Sequence, residues 1–212
     1  MQDLLNGTLR CVGDPEQRFE EDALRILRGV RLVNTLNQKL TRRNFDFEKE
    51  TWKAMQKMHH LVPSLAKERI HQEIVKVFMG NNPFGRVALL DELKLVEALF
   101  PALYRNKHDD QPVRYHPFDT YSHILLTLWH LQRINDDYLV KLGMLYHDVG
   151  KKDQYEQYAL AETKEEQQEI HSSPANHVVC GPIYAETDFR ALGFSNKEIE
   201  DIQFYVAQHM RP

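Results

Sequence analysis

The sequence predicts an all-α protein: a helical neck or body domain followed by a second helical domain. Three observations carry that expectation. Apolar residues recur at helical spacing through most of the chain, no alternating β-branched run reaches strand length, and no internal repeat is present. A length of 212 residues with 42% hydrophobic content is enough for one large or two small domains with a proper core, which excludes general disorder.

Each element has its own local reason. Within residues 20–37, Ala23, Ile26, Leu27, Val30 and Val33 fall on one stripe, so a single helix with a core-facing side is expected. A second helix is expected over 47–60, and a third over 67–79 after the Pro63-Ser64 start signal. A fourth follows Pro83, carrying Val87, Leu90, Leu93 and Val96 before Pro101 ends it. The polar stretch 104–117, with two prolines, reads as the domain boundary. Beyond it, helices are expected over 118–134, 138–147, 177–192 and 196–209. Residues 161–169 are rich in Glu and Gln and lack an apolar stripe, so they read as a solvated loop or a marginal helix.

Cysteine, hydropathy and charge narrow the function classes. Cys11 and Cys180 are too few for a disulfide framework and have no C-x-x-C spacing, which suits a reducing, cytoplasmic compartment and excludes a zinc knuckle. No apolar run approaches the ~20 residues needed to cross a bilayer, and the start lacks a signal-peptide pattern, so no membrane partner is expected. Residues 1–60 hold 11 Lys and Arg against 9 Asp and Glu, whereas 111–212 hold 9 against 15. A mildly basic front suits phosphates, and an acidic back suits metal cations.

Two groups of residues carry chemistry. The first is an ordered series: His123, the adjacent pair His147-Asp148, His177 and His209. Imidazole and carboxylate bind divalent metals that activate water at neutral pH, so the series is a candidate hydrolytic centre. His123 lies in an apolar helical pattern and is expected to point inward, where it needs a partner. Val149-Gly150-Lys151 follows the His-Asp pair, the glycine permitting a sharp turn and the lysine able to meet a substrate phosphate. Any one of these histidines alone could be a hydrogen-bonded core residue. His59, His60, His71, His108, His116, His130 and His171 lack this context and are left structural.

The runs "DTYSHILLTLWHL", "LGMLYHDVGKK", "NHVVCGPIYAE" and "FYVAQH" resemble the HD-superfamily metal-dependent phosphohydrolase domain. The resemblance implies that His123, His147 and Asp148 hold a divalent metal, with Mg, Mn, Ni and Co as candidates. It also implies that Lys151, His177 and His209 steady the phosphate, the two histidines matching those that bind a second metal or a phosphate in part of the superfamily. No aspartate follows His209 in this sequence, so the distal ligand of the superfamily has no match.

The second group is Arg18, Asp22, Arg25 and Gly29, placed on one stripe of the first long helix, away from its apolar side. A carboxylate beside a guanidinium offers acceptor and donors together and could read the edge of a base. The alternative is an ordinary intrahelical ion pair. The opening "DLLNGTLRCVGDPEQRFEEDALRILRGVRLVNTL", with "ERI" at residues 68–70 and Glu73 beyond it, resembles the head–neck junction of class II tRNA nucleotidyltransferases (CCA-adding enzymes) and bacterial poly(A) polymerases. In that family the E-D-x-x-R motif, here Glu21-Asp22-Ala23-Leu24-Arg25, is a protein template for the incoming CTP or ATP. The resemblance implies nucleotide-binding roles for Asp22 and Arg25, with Arg18 and Glu21 beside them.

The resemblances divide the chain into 1–16, the end of a nucleotidyltransferase head with Asp3-Leu4 near its final strand; 17–106, a helical neck and body; and 107–212, an HD domain. The catalytic head, with its Gly-Ser loop and magnesium-binding carboxylates, has no match, so a piece of a longer enzyme trimmed at both ends is expected. Expected partners are the tRNA 3′ end, CTP and ATP, with a homodimer as the assembly to test. The function implied is part of a CCA-adding enzyme or poly(A) polymerase whose HD domain acts on 2′,3′-cyclic phosphates and phosphomonoesters. Two other readings stay open: a catalytically silent RNA-binding or oligomerisation module, and a free-standing HD nucleotide hydrolase.

Overall fold

The computed structural model describes residues 2–39, 44–107, 119–172 and 175–210, and side chains within them except at 38, 171, 172, 175 and 176. Two short parallel strands apart, the regular elements among the described residues are helical, so the protein is all-α. The chain divides into two compact units, Met1–Leu99 and Phe100–Pro212. That division falls ahead of the expected boundary stretch, whose residues 108–117, with His108 and His116, lie outside the described residues.

The first unit begins with α1 (Gln2–Asn6) and β1 (Thr8–Leu9), so Asp3-Leu4 are helical and the strand comes after them. Next come α2 (Pro15–Glu21), α3 (Leu24–Lys39) and β2 (Asp46–Phe47), which pairs in parallel with β1 as Thr8 to Asp46 and Leu9 to Phe47. The Asp14 side chain accepts the Gln17 N–H and Pro15 occupies the first turn, which starts α2 cleanly. The single helix expected over 20–37 is broken. Asp22 is extended (φ −157°, ψ 94°), and its carboxylate accepts the Leu24 N–H at 3.2 Å, competing with helical pairing of the backbone. The expected apolar stripe still forms the core: Ile26, Leu27 and Val30 on α3 are fully buried.

Around α3 pack α4 (Lys49–Met58), a 3₁₀ turn (His59–Ser64), α5 (Lys67–Phe78), α6 (Pro83–Glu92) and α7 (Leu95–Leu99). The fourth expected helix is thus two, separated at Lys94, whose positive φ of 58° cannot continue an α-helix. Glu73 on α5 is buried and accepts hydrogen bonds from Arg31 of α3 at 3.1 Å and Lys76 at 3.0 Å. Burial would raise this carboxyl, but the Lys76 and Arg31 cations prevail and hold it below its ordinary range.

The second unit contains α8 (Pro101–Tyr104), α9 (Thr120–Leu131), α10 (Tyr138–Tyr146), α11 (Lys151–Leu160), α12 (Lys164–Ser172), α13 (Ala175–Ala191) and α14 (Asn196–Gln208). Asp119 and Asp137 cap α9 and α10, and Ser195 with Glu198 closes a full capping box on α14. Gly193, at φ 83°, ends the chain's run out of α13 in a left-handed turn. The core is aromatic: Tyr146 meets Phe189 at 4.8 Å between ring centroids, and Phe189 meets Phe194 at 5.0 Å. The buried Tyr146 hydroxyl donates to Asp188 at 2.7 Å, and the Ala102 N–H donates to the same carboxylate oxygen at 3.0 Å. One buried carboxylate therefore ties α8, α10 and α13 together. The segment 161–169 forms most of α12, and α11 was not anticipated because Lys151–Leu160 buries no residue and shows no apolar stripe.

Candidate functional site

The second unit gathers the whole histidine series around Asp148. Helix α10 ends at Tyr146, leaving His147 as its cap and Asp148 in the turn that leads into α11. Gly150 permits that turn to lie against α13, since a Cβ there would stand 2.7 Å from the His177 carbonyl oxygen. His123 comes from α9, His177 from α13, and His209 caps the end of α14.

The two oxygens of Asp148 face different partners. Oδ2 lies 3.3 Å from His123 Nε2, 3.2 Å from His147 Nε2 and 2.6 Å from Lys151 Nζ. Oδ1 lies 3.8 Å from His177 Nε2 and 3.6 Å from His209 Nε2. His147 and His209 each point Nδ1 at a backbone carbonyl, of Met144 and Val206 respectively, both at 2.7 Å. A carbonyl at Nδ1 fixes the ring so that Nε2 faces the centre, the orientation in which it can serve as a metal ligand. Asp148 is 2% exposed and His177 4%.

Electrostatics set the protonation states. Burial alone would raise the Asp148 carboxyl, yet His123, His147 and His209 overrule it and hold the group far below the usual carboxylate range, so it is ionised. Burial pushes His177 down to about 4, leaving its imidazole neutral at neutral pH. Burial also lowers His209, but Asp148 and the Val206 carbonyl prevail and its pKa is raised.

This donor set fits a divalent cation. His123, His147 and Asp148 present ligand atoms within 4.8 Å of one another, as do Asp148, His177 and His209. Both ring nitrogens of His177 and Nε2 of His209 are buried without a hydrogen-bond partner, which is costly unless something else engages them. Borderline imidazole with hard carboxylate suits Mn, Co, Ni or Zn better than Ca.

The first unit treats its expected group differently. Arg18, Asp22, Arg25 and Gly29 do not share one helical stripe, because the helix breaks at Asp22. Glu21 Oε2 accepts from Arg18 at 2.6 Å and Arg25 at 3.1 Å, and Arg25 also donates to the Arg18 carbonyl at 2.6 Å. Asp22 pairs instead with Arg69 of α5, both carboxylate oxygens lying 3.0 Å from Nη2. Burial works to raise the Asp22 carboxyl, but Arg69 and the Leu24 N–H lower it on balance. Arg25 and Gly29 line a cleft of ≈ 220 Å³ with Phe19, Arg28, Phe47 and Met55, whereas Asp22 is not among its walls. Sequence reasoning missed Arg69 and Arg28: Arg69 meets Asp22 from 47 residues away, a separation with no local signal.

Residues 44–106 match a protein-family model described as "Probable RNA and SrmB- binding site of polymerase A". Among curated proteins, the chain is 46% identical over 83 residues to the CCA-adding enzyme of Ligilactobacillus salivarius (strain UCC118), covering 39% of this chain and 19% of that protein. It is 33% identical over 125 residues to the CCA-adding enzyme of Bacillus pumilus (strain SAFR-032), covering 59% and 28%. It is 32% identical over 105 residues to poly(A) polymerase I of Salmonella typhi, covering 50% and 21%. The chain thus spans about a fifth of the length of the first of these relatives.

Proposed function

The chain is related to CCA-adding enzymes and poly(A) polymerases, and on that premise we propose that it forms part of an enzyme that adds nucleotides to the 3′ end of tRNA and carries a metal-dependent phosphohydrolase in its second unit. The first unit serves RNA binding and nucleotide choice, with Arg25 at the cleft and Glu21, Arg18 and Asp22 holding its surroundings. Asp22 reaches a nucleotide base by exchanging its Arg69 partner for the base edge. The second unit hydrolyses 2′,3′-cyclic phosphates or phosphomonoesters.

The observation that carries the hydrolytic reading is the convergence of four histidines and Lys151 on one buried, ionised carboxylate. His123, His147 and Asp148 are the residues that would hold a divalent ion, which supplies Lewis-acid activation of water and phosphate when bound. The Lys151 ammonium neutralises charge on the phosphate oxygens as it turns from Asp148. His177, its imidazole neutral through burial, and His209 orient the phosphate from the Oδ1 side of Asp148.

Elemental analysis of the purified chain, with and without His147→Ala, tests the metal reading. Bound divalent metal that the substitution removes is expected, and metal-free protein in both cases would overturn it. Hydrolysis of 2′,3′-cyclic AMP with added Ni, Co, Mn or Mg tests the activity, and no turnover with any of them favours a silent module instead.

A further inference from the structure

Two glycines lie where the helices of the histidine centre meet. Gly143 precedes His147 by one turn of α10, and Gly181 follows His177 by one turn of α13. Glycine is the poorest non-proline residue inside a helix, so local propensity does not account for either. Both abut α14. A Cβ on Gly143 would stand 2.5 Å from Tyr205 Cβ and 3.5 Å from the Ile202 carbonyl oxygen. A Cβ on Gly181 would stand 2.9 Å from Val206 Cγ1 and 3.6 Å from the Tyr146 carbonyl oxygen.

Non-bonded carbons rest at roughly 3.5–4.0 Å, so neither position accepts a methyl group without moving its neighbour. Neither neighbour yields easily. Tyr205 Cβ is fixed to the backbone of α14, and Val206 is β-branched, with a single strongly preferred rotamer in a helix. Val206 also accepts the hydrogen bond that orients His209, its carbonyl lying 2.7 Å from His209 Nδ1. A displacement of Val206 is therefore passed directly to the His209 ring.

We infer that Gly143 and Gly181 are positioning residues that set the depth at which α14 seats against α10 and α13, and thereby bring His209 to within 3.6 Å of Asp148. The inference rests on the histidine cluster being the working site. It assigns the two halves of that cluster different sensitivities. His123, His147 and Asp148 come from α9 and the end of α10, without a contribution from α14. Asp148, His177 and His209 depend on α14 and respond to the glycines.

Crystal structures and melting curves of the metal-free chain test this in Gly181→Ala, Val206→Ala and the double variant. Gly181→Ala is expected to lengthen the separation of His209 Nε2 from Asp148 Oδ1 by on the order of 0.5–1 Å, the overlap to be relieved, while the spacing of His147 from Asp148 stays. The double variant removes the opposing methyl and should return His209 to its original separation. If Gly181→Ala does not fold, the double variant carries the test by folding with the original spacing. A Gly181→Ala chain with His209 unmoved overturns the inference, as does a double variant no better than the single one. Wild-type protein that binds no metal would defeat the metal-centre reading without altering these distances.

Discussion

The candidate sites of the two units handle their charged residues in opposite ways. In the first, Arg18, Glu21, Arg25, Asp22 and Arg69 lie at the surface, and hydrogen-bonded partners engage both carboxylates. In the second, one buried carboxylate is crowded by four imidazoles, three of whose nitrogens find no partner. The family model falls mainly on the first unit, while the strongest chemical signal falls in the second. Kinship and chemistry are thus read from different parts of the chain. A satisfied surface cluster can be exchanged for a ligand at small cost, whereas an unsatisfied buried one costs stability until something engages it.

That contrast can be broken or sharpened by substitution. The largest effect is expected from Asp148→Ala, because both metal-competent groups share this residue. Divalent-ion uptake should vanish by elemental analysis, and cyclic-phosphate hydrolysis should fall by more than the ~10–100-fold typical of residues that merely support a ligand. Undiminished uptake would erase the distinction between the units. Next comes Leu27→Ala in the first unit, where a fully buried side chain is truncated. Urea unfolding should show a loss of about 2–5 kcal/mol, confirming that core packing and not surface charge holds this unit.

Asp22→Ala should cost about 1 kcal/mol, through the lost cap on Leu24 and the lost Arg69 pair. Because the Asp22 carboxyl is depressed, its stabilisation is present at neutral pH and disappears as pH falls through and below about 4. The gap between wild type and variant should therefore close in acid, and a gap that widened there would refute the pairing. Under the proposed nucleotide-selecting role, the same variant should blur the choice between CTP and ATP. Smallest of all, Arg18→Ala should change stability by under about 0.5 kcal/mol, since both partners of its ion pair are more than two-fifths exposed.

How much of this was legible in the sequence follows from the range of the forces involved. Apolar periodicity located α3, α5, α10, α13 and α14, because burial on one face leaves a local trace. It could not show the break at Asp22, where a side chain outcompetes the helix for one N–H, nor the left-handed Lys94. α11 escaped notice for the opposite reason, having no buried face to leave a pattern. The histidine centre was legible because its residue types are chemically distinctive even when far apart. Asp22 and Arg69 were not linked in advance, since a surface ion pair between distant segments carries no such mark.

Asp148 also has a thermodynamic consequence. One of its oxygens faces His123 and His147, and the other faces His177 and His209. Any occupant that draws electron density from one oxygen changes what the other can offer, and by linkage the influence must be equal in both directions. The two halves of the centre share one carboxylate, so whatever binds first sets the affinity for what binds second.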